Sequence, residues 1–267
     1  MSGGSKSNLS GAFVSDQQRD TFDAVAAEYD AVRPPYPDEL FADLTEVVGA
    51  AGQRVLEVGC GSGQATTGLI GCGWDVVAVD PGAELIALAN ARHSGVEFHV
   101  ARFETFDPEP ASFRLVASAQ AWHWIAPSVS FPKAAMALQP GGWLAIFGHV
   151  PSSPPPEVMK VLQPIYAEIA PDLWKPPPQA WYLPEGPVRM LIDASGLFGP
   201  VIRKAYIWSE RVTGGAFVRQ LRTRSDYNVI AQDRRDQLLA EVEKALAPLG
   251  ELSLRNETHL YLAELSS

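Results

Sequence analysis

The chain has 267 residues, enough for one α/β domain with insertions or for one domain with a small cap. Its net charge is −10 and it has no dense Lys/Arg tract, which argues against a long nucleic-acid-binding groove. No apolar stretch reaches the roughly 18 residues of a transmembrane helix, and the Ser/Gly-rich residues 1–15 lack the pattern of a secretory signal peptide. We therefore expect a cytoplasmic protein with a flexible tail over residues 1–15 and without membrane or nucleic-acid partners.

Two helices are predicted in the N-terminal part. Residues 16–30 carry apolar side chains at helical spacing, and the following Arg33-Pro-Pro-Tyr-Pro37 ends this helix. Pro37 can occupy the first turn of the next helix, which the apolar spacing extends to about Ala50.

Short apolar strands then alternate with helices. Strands are predicted at Arg54–Val58, Asp75–Val79, Val96–Ala101, Phe113–Ala119 and Trp143–Gly148, with helices ending near Leu69, running from Pro81 to about Ala91, and covering Ser128–Leu138. Near-continuous apolar strands alternating with helices are typical of a parallel sheet covered on both faces.

The pattern changes after Val150. Residues 151–187 hold eleven of the 22 prolines together with several aromatic residues, so we expect a cap rather than a simple linker. Two late strands, Ile202–Glu210 and Ser253–Glu264, and a helix over Arg234–Leu246 follow. The predicted organisation is a tail (1–15), a core (16–150), a proline-rich cap (151–200) and a C-terminal part that completes the sheet and lid (201–267).

A glycine-rich turn follows the first strand. Glu57 lies near the end of that strand, and Gly59, Gly61 and Gly63 come directly after it. Glycines without Cβ atoms let a ligand lie against the backbone, and ligands of open parallel sheets bind beyond the carboxyl ends of the strands. The spacing differs from the dinucleotide fingerprint, because Gln64 stands where that pattern has its third glycine.

Asp80 ends the second strand, seventeen residues after Gly63. A carboxylate at this position can accept hydrogen bonds from a ribose diol. It can also cap the helix that begins at Pro81, and the sequence leaves both roles open.

These motifs resemble those of a known family. Glu57-x-Gly-x-Gly-x-Gly63 with Asp80 resembles motifs I and II of class I S-adenosylmethionine (SAM)-dependent methyltransferases. Tyr29-Asp-x-x-Arg-Pro-x-Tyr-Pro37 and His123-Trp124 resemble the small-molecule subgroup of type-11-like and trans-aconitate methyltransferase-like enzymes. The resemblance covers roughly residues 18–150. It implies a Rossmann-like α/β fold whose seven-stranded, mostly parallel sheet has helices on both faces. It also implies SAM as cofactor, a small-molecule acceptor, no metal, and a monomer or homodimer.

The resemblance also implies a set of cofactor-binding residues. The glycine loop would contact the methionine part of SAM, Asp80 the ribose, and the turn after the third strand the adenine, with Arg33 suited to the methionine carboxylate. Two positions depart from the family pattern, Arg102 in the adenine turn and Arg114 in the fourth strand. The expected cofactor residues are Tyr29, Arg33, Glu57, Gly59, Gly61, Gly63, Asp80, Pro81, Phe103, Glu104 and Gln120.

His123 is the candidate catalytic residue, because it follows the fourth strand and a neutral imidazole can act as a general base. It could instead order its loop or pack in the core. The candidate acceptor-binding residues are Trp122, Trp124, Trp174, Trp181, Tyr182 and Arg222. They favour either a flat aromatic acceptor or a small carboxylic acid.

Two alternative functions remain open at this point. A nicotinamide-dependent dehydrogenase has a related fold, although Gln64 interrupts its fingerprint. A SAM-binding or partner-binding module without catalysis would share the fold and the motifs.

Overall fold

The computed structural model describes residues 30, 33–151, 154–174, 180–228 and 230–266. The predicted helix over residues 16–30 lies outside this part, except for Asp30. The described chain forms a Rossmann-like seven-stranded sheet in the order β3-β2-β1-β4-β5-β7-β6. Its strands are β1 (Arg54–Val58), β2 (Asp75–Asp80), β3 (Glu97–Val100), β4 (Phe113–Ala119), β5 (Leu138–Pro151), β6 (Ile202–Thr213) and β7 (Glu251–Glu264).

The first five strands are parallel, and β7 runs antiparallel between β5 and β6. Short 3₁₀ turns cover Trp122–Trp124, Ala180–Tyr182 and Ala247–Leu249. The α-helices are α1 (Asp38–Val48), α2 (Gln64–Gly71), α3 (Ala83–Arg92), α4 (Pro127–Ala137), α5 (Pro156–Ile169), α6 (Pro187–Ser195), α7 (Gly214–Arg222), α8 (Ser225–Asn228) and α9 (Gln232–Leu246).

Alternate side chains of a strand point to opposite faces of the sheet, and helices cover both faces. Leu56 and Val58 of β1 pack in the cluster that contains residues of α4 and α6. Val55 of the same strand packs in a second cluster with residues of α1, α2 and α3. All three side chains are almost fully buried, as expected for a central parallel strand.

The strand predictions agree closely with the structure. β1 and β4 have the predicted bounds, and β6 and β7 extend the predicted strands by two or three residues. Pro140, Gly141 and Gly142 lie within β5, where pairing with β4 jumps from Phe113↔Leu138 to Leu115↔Trp143. The arginine that departs from the family pattern, Arg114, bonds at this irregularity. Its guanidinium donates hydrogen bonds to the carbonyls of Gly141 and of Val48 at the end of α1. Arg114 therefore acts at the end of the sheet opposite the glycine loop.

The region after Val150 is more helical than its prolines indicated. α5 begins with Pro156 in its first turn and contains Pro164, and neither α5, α6 nor α7 was predicted. α5, α7 and α9 share a third apolar cluster with the ends of β6 and β7. β5 ends opposite Asn256, so the last part of β6 and the first part of β7 pair only with each other. We call this two-stranded extension, Ser209–Thr213 with Glu251–Arg255, the ribbon.

No helix among the described residues is both long and apolar enough to cross a membrane.

The contact between α1 and α2 gives a stability prediction. A Cβ atom on Gly68 would lie 2.1 Å from the ring of Phe41, which is buried between the two helices. We expect Gly68→Ala to lower the free energy of unfolding by about 1–3 kcal/mol through overpacking, although alanine favours helix. Urea unfolding measures this change.

Gly71→Ala is the matched control in the same helix. No atom lies within 4 Å of the position of its added Cβ, so this substitution should leave stability unchanged or raise it slightly. Equal effects of the two substitutions would contradict the packing argument.

Candidate functional site

A cavity of about 320 Å³ lies beyond the carboxyl ends of β1, β2 and β4. Because these strands are parallel neighbours, the loops that follow them converge at this edge of the sheet. The lining residues are Val58, Gly59, Gly61, Val79, Asp80, Pro81, Gly82, Leu85, Ala101, Arg102, Phe103, Glu104, Ala119, Gln120, Ala121, Trp124 and Ile125.

The glycine loop forms one wall of the cavity. Gly59 has φ +73°, and a Cβ atom there would lie 2.1 Å from the Cβ of Ala121. Gly61 has φ +55° and open space where its Cβ would be, so a ligand can approach its backbone. Gly63 differs from both, because it precedes α2, faces His93 and does not line the cavity.

Asp80 joins the glycine loop to the loop after β2. One carboxylate oxygen accepts a hydrogen bond from the backbone N–H of Gly61 at 3.0 Å. The other accepts from the N–H of Gly82, at 2.8 Å, just before α3. Asp80 is not the N-cap of α3, which is Gly82, and its carboxylate keeps lone pairs for a further donor after accepting two N–H groups.

Glu57 lies behind the loop rather than in the cavity wall. It is 1% exposed and points toward α2, where the Thr66 hydroxyl donates to its Oε2 at 2.6 Å. Its Oε1 is buried without a hydrogen-bond partner. Burial raises the pKa of Glu57 to about 8; the Thr66 hydrogen bond opposes this and the nearby Asp80 adds to it. The carboxyl group is thus largely protonated at neutral pH.

The loop after β3 forms the far wall with Phe103 and Glu104. Lys133 of α4 holds this loop by donating to the carbonyls of Glu104 and Phe106, at 2.8 and 2.6 Å. Lys133 could not be identified from the sequence, because its contacts depend on how α4 lies across the sheet.

Gln120 has a strained backbone at the centre of the site. Its φ is +59°, in a region that residues other than glycine rarely adopt. Two hydrogen bonds to β5 hold it there: its N–H donates to the Phe147 carbonyl and its side-chain amide to the His149 carbonyl, both at 2.9 Å. Strained residues held in this way concentrate at functional sites.

A second, smaller pocket of about 40 Å³ adjoins the cavity and shares Gly59, Gly61 and Gln120 with it. Arg33 and His149 also line it. The guanidinium of Arg33 donates to the carbonyl of Thr223, at the end of α7, over 3.2 Å. His149, which local sequence did not indicate, is thus part of the site.

His123 lies beside the cavity but is not among its lining residues. It is 5% exposed, and its Nδ1 lies 3.1 Å from the hydroxyl of Tyr182. The rings of Trp124 and Trp181 pack near it, with centroids 4.9 and 5.9 Å from the imidazole. Burial lowers the pKa of His123 to about 3, so the ring is neutral at physiological pH. A base this weak is poorly matched to proton abstraction near pH 7, which favours the loop-ordering alternative.

The candidate acceptor residues are not brought together. Trp124 lines the cavity, whereas Trp122 packs against Phe131 in the core. Trp181 and Tyr182 are 3% and 1% exposed and belong to that same core. Trp174 packs against Tyr166 in the third cluster, with ring centroids 4.9 Å apart.

Arg222 lies on the exposed surface in the last turn of α7. His123, Trp174 and Trp181 are not among the residues that line the cavity, so the cavity does not bring them together. The expected cofactor residue Tyr29 lies outside the described residues.

Comparison with known proteins identifies the domain. Residues 55–142 match the family described as methyltransferase domain, and they contain the glycine loop, Asp80 and Gln120. Residues 55–142 form a class I SAM-dependent methyltransferase domain. The cofactor of this domain is SAM.

Individual relatives agree with this assignment. An uncharacterized methyltransferase of Mycobacterium tuberculosis is 36% identical over 126 residues, 47% of this chain and 51% of the relative. Trans-aconitate 2-methyltransferase of Methylobacterium nodulans is 34% identical over 106 residues, 39% of this chain and 41% of the relative. The matches thus span about half or less of these curated relatives' length.

A candidate type II methyltransferase from Anaeromyxobacter dehalogenans, of known structure, is similar over most of its length. It is 28% identical with a TM-score of 0.60, covering 87% of this chain and 97% of that chain.

The residues present suit SAM. The open side of Gly61 and the small side chains of Ala119 and Ala121 leave room for a ligand along the sheet edge, and Asp80 offers its carboxylate at the cavity wall. Among the described residues, no group of three or more His, Cys, Asp or Glu side chains forms a metal-binding cluster.

The raised pKa of Glu57 predicts a pH dependence of stability. Between pH 4.5 and about 8 the folded protein keeps the Glu57 proton, whereas the unfolded chain has already released it. The contribution of Glu57 to the free energy of unfolding is therefore largest below pH 4.5 and is lost as pH rises through about 8. Glu57→Gln cannot titrate. The variant should therefore gain stability relative to the parent protein as pH rises from 5 to 8, measured by urea unfolding without cofactor.

The buried histidines His123 and His149 titrate in the opposite sense at lower pH, but both are present in the two proteins and cancel in the difference. A stability difference that stays constant from pH 5 to 8 would contradict the protonation of Glu57.

Proposed function

We propose that this protein transfers the methyl group of SAM to an oxygen, nitrogen or carbon nucleophile of a small-molecule acceptor. The observation that carries the proposal is the cavity between the open glycine loop and the carboxylate of Asp80, inside a methyltransferase domain. When bound, SAM supplies an electrophilic methyl group on a sulfonium ion.

In this proposal each wall of the cavity has a separate task. The backbone at Gly61 approaches the cofactor closely, Asp80 accepts hydrogen bonds from its ribose, and the loop at Phe103 and Glu104 encloses its adenine. Arg33, on the smaller pocket, pairs with its carboxylate. Gln120 lines both pockets and lies against the methionine part of the cofactor. Such positioning lowers the barrier for an in-line methyl transfer.

The acceptor side rests on fewer contacts. Trp124 gives the cavity one flat aromatic wall, which suits an aromatic or amphipathic acceptor. A small carboxylic acid is the other candidate class, because one relative is named trans-aconitate 2-methyltransferase. Screening both classes for SAM consumption, with trans-aconitate as the first acid, is the direct route to the substrate.

The cofactor gives the first test of the function. We expect the protein to bind SAM and S-adenosylhomocysteine in calorimetry and not to bind NAD. Asp80→Ala should weaken SAM binding by about 1–3 kcal/mol, since the ribose loses a charged acceptor and the glycine loop loses its link to the α3 loop.

Asp75→Ala is the control, because Asp75 begins the same strand at the opposite end of the sheet and is exposed. Asp75→Ala should bind SAM as the parent does. Preference for NAD over SAM would overturn the proposed function, whereas SAM binding without transfer to any screened acceptor would favour the non-catalytic module.

His123 is proposed to order the turn that carries Trp124 rather than to act as the base. We expect His123→Ala to reduce kcat and SAM affinity together and modestly, within about tenfold, and to lower the melting temperature. Tyr182→Phe should reproduce part of this loss, because it removes the hydroxyl that meets Nδ1. Steady-state kinetics, calorimetry and thermal melting measure the three quantities.

A general base predicts a different pattern. Loss of kcat by about 100-fold or more, with SAM affinity unchanged, would restore the catalytic assignment of His123.

A further inference from the structure

A row of hydrogen bonds crosses the sheet from β6 to the segment before α1. The indole N–H of Trp208 on β6 donates to the Thr258 hydroxyl on β7, at 3.1 Å. Thr258 lies directly opposite His149 on β5, and its hydroxyl is 2.8 Å from the imidazole Nδ1. The Nε2 of His149 is 3.4 Å from the carbonyl of Pro34.

The chemistry of the end groups fixes the direction of every proton in this row. The Trp208 indole can only donate, and the Pro34 carbonyl can only accept. Burial, opposed by the bond to Pro34 and aided by the charge of Arg33, lowers the pKa of His149 to about 4, so its ring carries one proton at neutral pH. That proton lies on Nε2, facing Pro34, and Nδ1 therefore accepts the proton of the Thr258 hydroxyl.

The segment that receives this row is Arg33–Tyr36, which we call the strap. Tyr36 stacks on the His149 ring, with centroids 4.4 Å apart and planes 13° apart. Arg33 lines the small pocket beside the glycine loop. Asp30, three residues before the strap begins, forms an ion pair with Arg92 of α3 at 2.5 Å.

His149 therefore holds the strap in two ways, by a directed hydrogen bond and by ring stacking. The same residue's backbone carbonyl accepts the side-chain amide of Gln120. His149 thus connects the strap to the strained residue Gln120, which lines both pockets.

We propose that His149 is a positioning residue, which the Thr258 and Trp208 row orients so that the strap keeps the guanidinium of Arg33 at the cofactor pocket. This inference rests on the proposed function, because it takes Arg33 as a cofactor contact. Neither Thr258 nor Trp208 is among the residues that line the two pockets, so neither contacts a cofactor there directly.

Thr258→Val tests the row, because it replaces the hydroxyl by a methyl group and leaves the side-chain shape almost unchanged. We expect the Kd for SAM, measured by calorimetry, to rise roughly 3- to 10-fold. Thr258→Ser keeps the hydroxyl and should bind SAM as the parent protein does. Thr45→Val is the control for the same chemical change elsewhere, since the Thr45 hydroxyl bonds only within α1.

A double-mutant cycle with Arg33→Ala separates positioning from general destabilisation. If the row acts through Arg33, Thr258→Val should change the Kd by less than about twofold when Arg33 is already alanine. If Thr258→Val raises the Kd by its full factor in the Arg33→Ala background, the inference is wrong. It is also wrong if folded Thr258→Val binds SAM as the parent does, or if Thr258→Ser loses as much SAM affinity as Thr258→Val.

His149→Phe is the second variant, used if Thr258→Val does not fold. It keeps ring stacking on Tyr36 but removes both nitrogens, and its Kd for SAM should rise at least 3-fold; parent-like binding would overturn the inference. Failure of the unaltered protein to bind SAM at all would instead refute the proposed function.

Discussion

The carboxylate of Asp80 is the interaction on which the site depends. It ends β2 and accepts one backbone N–H from the loop after β1 and another from the loop after its own strand. The first of these bonds ties together two loops that the chain places nineteen residues apart. The cavity between them keeps its shape because a charged acceptor at the end of a buried strand satisfies both loops.

The central strands were predictable because they are buried on both faces. β1 and β4 are apolar on both faces, so short runs of apolar residues located them at their true ends. Helices α5, α6 and α7 showed no such pattern. α5 carries prolines at its start and in its interior, and its stability comes from an apolar cluster shared with α7 and α9 rather than from local preference.

In the candidate site, too, some residues could be predicted from the sequence and others could not. Glycine spacing and the carboxylate after β2 indicated the cofactor side, because the ends of adjacent parallel strands meet whatever the rest of the chain does. Local sequence could not indicate His149 or Lys133. His149 joins the strap only because β5 and β7 pair in a particular register, and Lys133 reaches the β3 loop only through the packing of α4. Aromatic content alone was also misleading, since Trp122 and Trp181 fill the core.

The ribbon has a consequence for how proteins of this kind diversify. It carries the helices of the third cluster on the last two strands, beyond the point where β5 ends. The family match ends at residue 142, before any of these elements begin. Insertions, deletions and new side chains can therefore accumulate on the ribbon and its helices without altering the register of the five parallel strands. Such an arrangement lets one cofactor-binding half serve many chemistries, because changes in the ribbon and its helices leave the five parallel strands in place.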